Sequence, residues 1–300
     1  MKPIAVTEVV DALALAEPRA KAQAAIALAS RAQALSAAAQ PVVIGSCTAV
    51  PSEPGRPAKP VLVNPSALAR RGLGSPAGRI ALLHSLAHIE FNAIDLALDA
   101  VARFRGQPSD YDAQWLRVAG DEGQHFVLVA DRLEALGSFY GALPAHDGLW
   151  AMARRTEHDV LVRMALVPRI LEARGLDVAP SMIERLHNAG DQESAAILQR
   201  IYTDEITHVA VGNRWFRYVC EQRDLDGAEV FRDLLRGGHS VWLRGPYNDA
   251  ARLEAGFDPA ELTLIREMEA EYSAAQKAQL AQEAAQKAAQ ETPAAPATDG

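Results

Sequence analysis

The order of hydrophobic and polar positions along this chain predicts a protein built mainly of helices. Residues 6–39 are rich in alanine with helical spacing and are interrupted near Pro18, so one or two helices are expected there. Residues 40–77 are rich in proline and glycine, which indicates an irregular, extended segment. Strong helical patterning follows and predicts four long helices, over residues 78–105, from Ser109 or Asp110 to about Leu136, 148–174 and about 191–222.

The predicted connections between these helices are short. Gly106 and Pro108 end the first helix, and Ser109 or Asp110 is expected to cap the second. A loop follows at 137–147. Residues 175–180, with the sequence GLDVAP, are expected to break the helical pattern before a short helix over 181–189. Because short connections join antiparallel neighbours, the pattern favours an all-α, antiparallel four-helix bundle.

The predicted bundle occupies residues 78–222 and has an extension on each side. Residues 1–77 supply the N-terminal helices and the proline-rich segment. Residues 223–273 have mixed composition and are expected to pack on the bundle as a C-terminal extension. Residues 274–300 form a low-complexity tail of Ala, Gln, Lys and Pro, for which disorder is expected, although its Ala/Gln/Lys part can be helical in isolation.

Composition and charge narrow the class of protein. Hydrophobic residues make up 49% and charged residues 23%, as in soluble globular proteins. No signal peptide and no apolar run long enough to span a membrane is recognised, so a cytoplasmic location is expected. Cys47 and Cys220 have no motif spacing, which leaves oxygen and nitrogen as metal donors. The net charge of −8 disfavours nucleic acid as a partner, and it leaves open a local basic patch of Arg70, Arg71, Arg79, Arg154 and Arg155.

Two short segments on predicted helices carry the same pattern, Asp-Glu-x-x-His. The first, DEGQH, begins at Asp121, and the second, DEITH, begins at Asp204. Residues three apart on a helix project from the same face, about one turn apart, so the Glu and the His of each segment can reach one metal ion. The pattern predicts four metal ligands: Glu122, His125, Glu205 and His208.

Each motif has a further glutamate on the preceding helix. Glu90 lies 32 residues before Glu122, and Glu172 lies 33 residues before Glu205. Two helices that each give Glu-x-x-His, with two that each give one Glu, form the ligand set of di-iron carboxylate bundles. Such oxygen and imidazole donors suit two iron ions, two manganese ions or a mixed pair. Glu157 is a rival to Glu172 on the same predicted helix.

The aspartate before each glutamate is expected to orient a histidine across the helix interface. One position along a helix is a rotation of about 100°, which turns each aspartate toward the neighbouring helix. We therefore expect Asp204 to orient His125 and Asp121 to orient His208. The alternative, exposed helix faces with local salt bridges, is disfavoured by the apolar neighbours of both motifs. His88 is expected to be a hydrogen-bonded structural histidine or a support for a ligand, and not a ligand itself.

These segments together resemble a known family. GRIALLHSLAHIEFNAIDLALDAVARF, GDEGQHF, LEARGLDVAP, YTDEITHVAVGNRWF and RGPYNDAARLEAGF resemble the bacterial ferritin-like family called domain of unknown function 455, over about residues 8–262. The resemblance implies a ferritin-like four-helix bundle that holds two metal ions, and it supplies no substrate. More distantly, the pattern is similar to the tRNA-modifying di-iron monooxygenases, whose metal motif also has two Glu-x-x-His pairs. This second resemblance leaves tRNA open as a substrate, which the local basic patch would bind.

Three functions follow from these predictions. The first is a di-iron oxidase or monooxygenase that uses O2 on a small organic substrate, with the electron donor left open. The second is a ferroxidase or peroxide-detoxifying protein, and the third is a metal-stabilised scaffold without catalysis. A homodimer is compatible with each. Tyr202, three residues before Glu205, is expected near the site.

Overall fold

A computed structural model of the protein describes residues 2–46, 49–68, 72–237 and 243–291, and the chain is mostly helical within these ranges. The helical elements are α1 Val6–Leu13, α2 Pro18–Ala37, α3 Pro76–Arg103, α4 Ser109–Ala135, α5 Gly148–Arg155, α6 Val160–Leu166, a π-helical turn Val167–Glu172, α7 Ala173–Asn188, α8 Gln192–Gln222, α9 Gly227–Arg236, α10 Asp249–Glu254 and α11 Pro259–Glu291. Cys47, Arg70, Arg71 and residues 292–300 lie outside the described residues.

The segment between α2 and α3 is largely irregular, as its prolines and glycines predict. Its regular parts are a strand β2 Val43–Ile44, which pairs in parallel with β1 Ile4–Ala5, and a short 3-10 turn Pro65–Ala67. Leu62 forms an isolated bridge with Ala145. The segment therefore runs beside the loop between α4 and α5.

The N-terminal helices break where the sequence predicts. Pro18 is the first residue of α2, and the Glu17 side chain caps this helix by accepting from the backbone N–H groups of its first turn. Helix α2 then packs closely on α4. A Cβ at Gly120 of α4 would lie 2.3 Å from the Cβ of Ala29, so only glycine permits this approach.

Helix α3 is buried along most of its length. It packs on α4, and α1, α2 and α5 cover other faces. On the far side, α6, the π-helical turn and α7 pack on α8, and α8 also contacts α4. The tryptophans at 115, 150 and 215 are buried in the apolar core between these elements. The helices that carry the predicted ligands thus share one core.

The predicted helix over 148–174 is interrupted twice. Helix α5 ends at Arg155, and α6 begins after Asp159, whose side chain accepts from the backbone N–H of Leu161 as an N-cap. The chain then passes through the π-helical turn Val167–Glu172 before it continues as α7. The prediction of one regular helix was therefore wrong.

The predicted break at 175–180 was also wrong, because these residues lie inside α7. Pro180 has no N–H and leaves the carbonyl four residues earlier, that of Leu176, without its helical donor. The side-chain Nδ2 of Asn248 donates to that carbonyl at 3.1 Å. A partner distant in sequence therefore satisfies the group that the proline leaves open, and the helix continues.

The start of α4 also differs from the prediction. The N-cap is Pro108, and the helix begins at Ser109 without a side-chain cap. The Oγ of Ser109 accepts from the backbone N–H of Val42 instead, at 3.2 Å. A tertiary hydrogen bond therefore uses the Ser109 side chain that was predicted to cap the helix. None of the described helices is long and apolar enough to cross a membrane.

The C-terminal helices are anchored on the π-helical turn. Arg169 of that turn is fully buried, and its guanidinium lies 4.1 Å from the ring centroids of Phe216 and Phe231 and 5.2 Å from that of Phe257. It also donates to Glu261 of α11. Helix α11 then extends to Glu291, so the Ala/Gln/Lys part of the expected tail is helical up to that residue.

Candidate metal centre

The two Glu-x-x-His pairs lie on helices that contact each other. Glu122 and His125 belong to α4, and Glu205 and His208 belong to α8. Because a three-residue step is nearly one helical turn, each glutamate lies beside its histidine. The distance from histidine Nδ1 to glutamate Oε2 is 3.2 Å in both pairs. The two local arrangements are therefore alike.

Glu122 joins the two pairs into one site. Its Oε2 faces the Nδ1 of His125, and its Oε1 lies 3.0 Å from the Nδ1 of His208. Glu90 of α3 adds a carboxylate, with its Oε2 3.3 Å from the Nδ1 of His125. The donor atoms form two groups, each close enough to hold a metal ion: Glu90, Glu122 and His125; and Glu122, Glu205 and His208.

An aspartate from the opposite helix faces the outer nitrogen of each histidine. The Oδ2 of Asp204 lies 3.0 Å from the Nε2 of His125, and the Oδ2 of Asp121 lies 3.5 Å from the Nε2 of His208. An Nε2–H that donates to a carboxylate leaves the Nδ1 lone pair of a neutral imidazole directed toward the glutamates. The crossed pairs that the sequence predicts are thus brought together.

Glu172 lies at the edge of this site. It ends the π-helical turn and belongs to neither compact group of donors. Its charge interacts with those of Glu205 and Glu122. Among the described residues its buried Oε2 has no hydrogen-bond partner. The rival Glu157 lies elsewhere, with its side chain 43% exposed and 3.6 Å from Arg103.

Burial and crowding of the carboxylates shift their pKa values in opposite directions. Burial, followed by the neighbouring Glu122 charge, raises the pKa of Glu90 well above its ordinary value. Burial and the Glu205 charge do the same to the pKa of Glu172. Burial also acts on Glu122, but His208 and His125 outweigh it and lower its pKa. Glu122 is therefore the carboxylate that most strongly favours its anionic form.

The two histidines respond to the same charges. Burial disfavours their charged forms, but hydrogen bonds to Asp204 and Glu122 raise the pKa of His125 well above its ordinary value. The Glu122 charge and a hydrogen bond to Asp121 raise the pKa of His208 in the same way. The carboxylates around both imidazoles thus favour positive charge at this site, and a bound metal cation would supply that charge in place of protons.

A cavity of about 240 Å³ adjoins the carboxylate side of the site. Glu90, Glu122, Glu172 and Glu205 line part of its wall. The remaining wall is mostly apolar and comes from α3, α5, the π-helical turn, α7 and α8. Its residues include Leu86, Ile89, Ala93, Leu96, Leu149, Leu171, Val178, Ala179, Met182, Leu198 and Ile201. The donor groups thus have one side packed by histidines and aspartates and another that opens on an apolar space.

Two histidines near Glu90 have structural contacts instead of ligand positions. His84 Nε2 accepts from the backbone N–H groups of Gly141 and Leu143. The Nδ1 of His88 lies 2.9 Å from the hydroxyl of Tyr140. Both histidines therefore hold the loop between α4 and α5 against α3.

Tyr202 lies beside the site, as expected, where it lines the cavity. Its hydroxyl accepts from Nδ2 of Asn248. Two arginines of the suggested tRNA patch form intramolecular ion pairs: Arg79 with Asp191, and Arg154 with Glu53 and Asp147.

The sequence did not predict the cavity wall or the contact of Asn248 with α7. Leu149, Val178 and Met182 carry an apolar pattern that reads as ordinary helix core, so no local signal separates a cavity wall from a packed interface. The contact of Asn248 has an indirect sequence signal in Pro180. Because proline has no N–H, a carbonyl of its helix needs a hydrogen-bond donor from outside the helix.

The fold and site define an all-α protein with buried Glu/His clusters close enough to hold metal ions. Residues 14–263 match the family model described as "Protein of unknown function (DUF455)", and the chain belongs to that family. A relative from Haemophilus influenzae, named "Uncharacterized protein", is 44% identical over 220 residues, which cover 71% of this chain and 76% of the relative. No solved structure matches.

Proposed function

We propose that the protein is a ferritin-like di-iron carboxylate protein that activates O2 and hydroxylates an organic substrate. The observation that carries this proposal is the position of Glu122, whose two oxygens face two histidines on different helices. A carboxylate so placed can bridge two ions. The flanking ligands would be Glu90 with His125 on one ion, and Glu205 with His208 on the other, with Glu172 at the open side.

The donor chemistry supports iron. Carboxylate oxygen and imidazole nitrogen suit iron or manganese, and no thiolate lies in either group of donors within the described residues. Bound iron would supply the redox chemistry that reduces O2. The net reaction consumes substrate R–H, O2, two electrons from an external reductant and two protons, and it yields R–OH and water. A ferritin-like bundle places such ligands inward from four helices.

The protein's own residues would position the reacting parts. Asp204 and Asp121 fix the imidazole rings so that each Nδ1 faces inward. The unpaired Oε2 of Glu172 can hold a proton at the cavity edge. The apolar wall keeps bulk water from the substrate. This wall favours hydroxylation over iron storage, because an iron ion in transit needs polar groups along its path.

Anaerobic loading with Fe(II) tests the proposal. Wild-type protein should retain two ions per chain and consume O2 when a reductant is supplied. Glu122→Gln should lose both ions and the O2 uptake, whereas Glu157→Gln, on an exposed side chain, should behave as the wild type. Equal metal content and equal O2 uptake in wild type and Glu122→Gln would overturn the proposal.

A further inference from the structure

The cavity beside the site has a wall that defines a chemical class of ligand. Its carboxylates all lie on the side of the donor groups, whereas α3, α5, α7 and α8 present Leu, Ile, Val, Met and Ala side chains across the remaining surface. The exclusion of water stabilises the contact between such a surface and an apolar ligand, and the surface offers a ligand no directional bond.

Three polar side chains besides the carboxylates line the wall, and each has a contact within the chain. Nη1 of Arg174 donates to the backbone carbonyls of Arg244 and Pro246, at 2.6 Å and 3.1 Å. The hydroxyl of Tyr202 accepts from Nδ2 of Asn248, and Nδ1 of His146 accepts from the backbone N–H of Gly148. The one arginine or lysine that lines the cavity among the described residues is thus held by the C-terminal segment, and the apolar remainder of the wall offers an anionic ligand no counter-charge.

Volume sets the size of the ligand. An apolar cavity of about 150 Å³ is known to hold benzene, with its six carbon atoms. Scaled from that case, a cavity of about 240 Å³ holds roughly ten non-hydrogen atoms.

We propose that this cavity binds a neutral, predominantly apolar organic molecule of about ten non-hydrogen atoms, and that this molecule is the substrate class. The second part rests on the proposed hydroxylase function, whereas the first depends only on the cavity. Ala179 and Met182 of α7 line the cavity and set its size. Substitution of either residue should therefore change which ligand fits.

Calorimetric titration of the full chain tests the inference, first without metal and then with Mn(II) added. The probes are 1-nonanol, the anion nonanoate, and xylose, which is neutral, polar and similar to 1-nonanol in size. One molecule of 1-nonanol should bind per chain, and nonanoate and xylose should bind at least about tenfold more weakly, equivalent to about 1.4 kcal/mol. Equal or tighter binding of nonanoate or xylose would overturn the proposal.

Two substitutions on α7 locate the binding. Ala179→Leu should weaken 1-nonanol binding by about tenfold or more, since it fills the cavity. Ser181→Leu adds a similar volume on the exposed face of the same helix and should leave binding unchanged. If Ala179→Leu fails to fold, Met182→Ala provides the test, because a larger cavity should shift the preference toward 1-undecanol. An unchanged preference in a folded variant would contradict the proposal.

Metal loading separates the two proposals. Binding of 1-nonanol by protein that takes up no iron would support the apolar ligand site and refute the di-iron function. Two bound iron ions in a protein that does not bind 1-nonanol would refute the ligand class alone.

Discussion

His125 on α4 and Asp204 on α8, 79 residues apart in the chain, face each other with 3.0 Å between Nε2 and Oδ2. The partner pair, His208 and Asp121, repeats this relationship at 3.5 Å with the helices exchanged. Each helix therefore supplies candidate metal donors on its inner face and, beside them, the carboxylate that contacts the other helix's histidine. The contact between α4 and α8 and the geometry of the site depend on the same side chains.

Asp204→Asn should weaken metal binding while the fold is retained. The amide still accepts a hydrogen bond but no longer supplies charge, and loss of such outer partners costs about 10–100-fold in metal affinity. Competition titration with Mn(II) against a chromophoric chelator measures the change. Asp121→Asn should have the smaller effect because its contact is longer.

The matched control for these substitutions is Asp131→Asn, which changes an exposed aspartate of α4 that pairs with Arg19. Its Mn(II) affinity should equal that of the wild type. If Asp204→Asn also binds Mn(II) like the wild type, the aspartate has no part in supporting the site.

Glu172→Leu should stabilise the metal-free protein and weaken metal retention. The buried Oε2 lacks a partner among the described residues, and an unsatisfied buried polar group costs about 1–3 kcal/mol. Urea unfolding of metal-free protein should show a gain of that order, and iron content after loading should fall. Glu157→Leu is the exposed control and should change neither quantity. A less stable Glu172→Leu protein would show that the carboxyl has a structural partner.

Gly212→Ala should separate the π-helical turn from α8. A Cβ at Gly212 would lie 2.2 Å from the Cβ of Pro168, so one of the two elements must move. Overpacking of this kind costs about 1–3 kcal/mol. The thermal unfolding temperature and the iron content after loading should both fall. Gly227→Ala is the control, because its Cβ would meet Phe216 and Cys220 at ordinary distances of 3.4 Å and 3.6 Å. Equal losses in the two variants would contradict the close approach as the cause.

Stability should fall in mild acid because of His84. Burial lowers the pKa of His84 to about 4 from 6.5, and its Nε2 must stay unprotonated to accept from Gly141 and Leu143. The unfolded chain therefore takes up the proton first. The stabilisation is fully present above pH 6.5 and is lost as the pH falls toward 4.

The expected loss is on the order of 3 kcal/mol, at about 1.4 kcal/mol for each unit of pKa. Urea unfolding at a series of pH values measures it. His84→Gln should reduce this dependence, since an amide oxygen can accept the same bonds without titrating. His88, whose pKa burial also lowers to about 4, should account for the remainder. His187→Gln, on an exposed histidine, should retain the slope of the wild type. An unchanged slope in His84→Gln would assign the acid sensitivity to other groups.

That these side chains come together could be predicted from the sequence because the signal is local. The spacing of Glu122 and His125 specifies a shared helix face without knowledge of the fold, and the repeat at Glu205 and His208 indicates two facing helices. Glu90 was predicted because the ligand set of such a bundle needs further carboxylates. Metal binding by these side chains stays a prediction, and so does the identity of the metal, since several ions share such donors.

The sequence fails where distant groups decide local structure. From the sequence alone, Pro180 predicts the end of a helix. In the structure, Asn248 donates to the carbonyl that the proline leaves without a helical partner. Ser109 is a good capping residue, but it bonds to Val42 instead. The cavity could not be predicted either, because a void forms where neighbouring helices stay apart. The distance between helices leaves no signal in the sequence of any one of them.

The π-helical turn makes the site independent of one residue of chain length. A π turn takes up about one residue more than an α turn, so removal of one residue from Val167–Glu172 would favour a continuous α-helix. Because the extra residue is absorbed within a single turn, the segments on either side would keep nearly the same relative orientation, and the apolar face of α7 would still line the cavity beside Glu205. The same deletion within α8, which is regular α-helix, would rotate the residues beyond it by about 100°. A one-residue difference in length among homologues is therefore expected at this turn and not within α8.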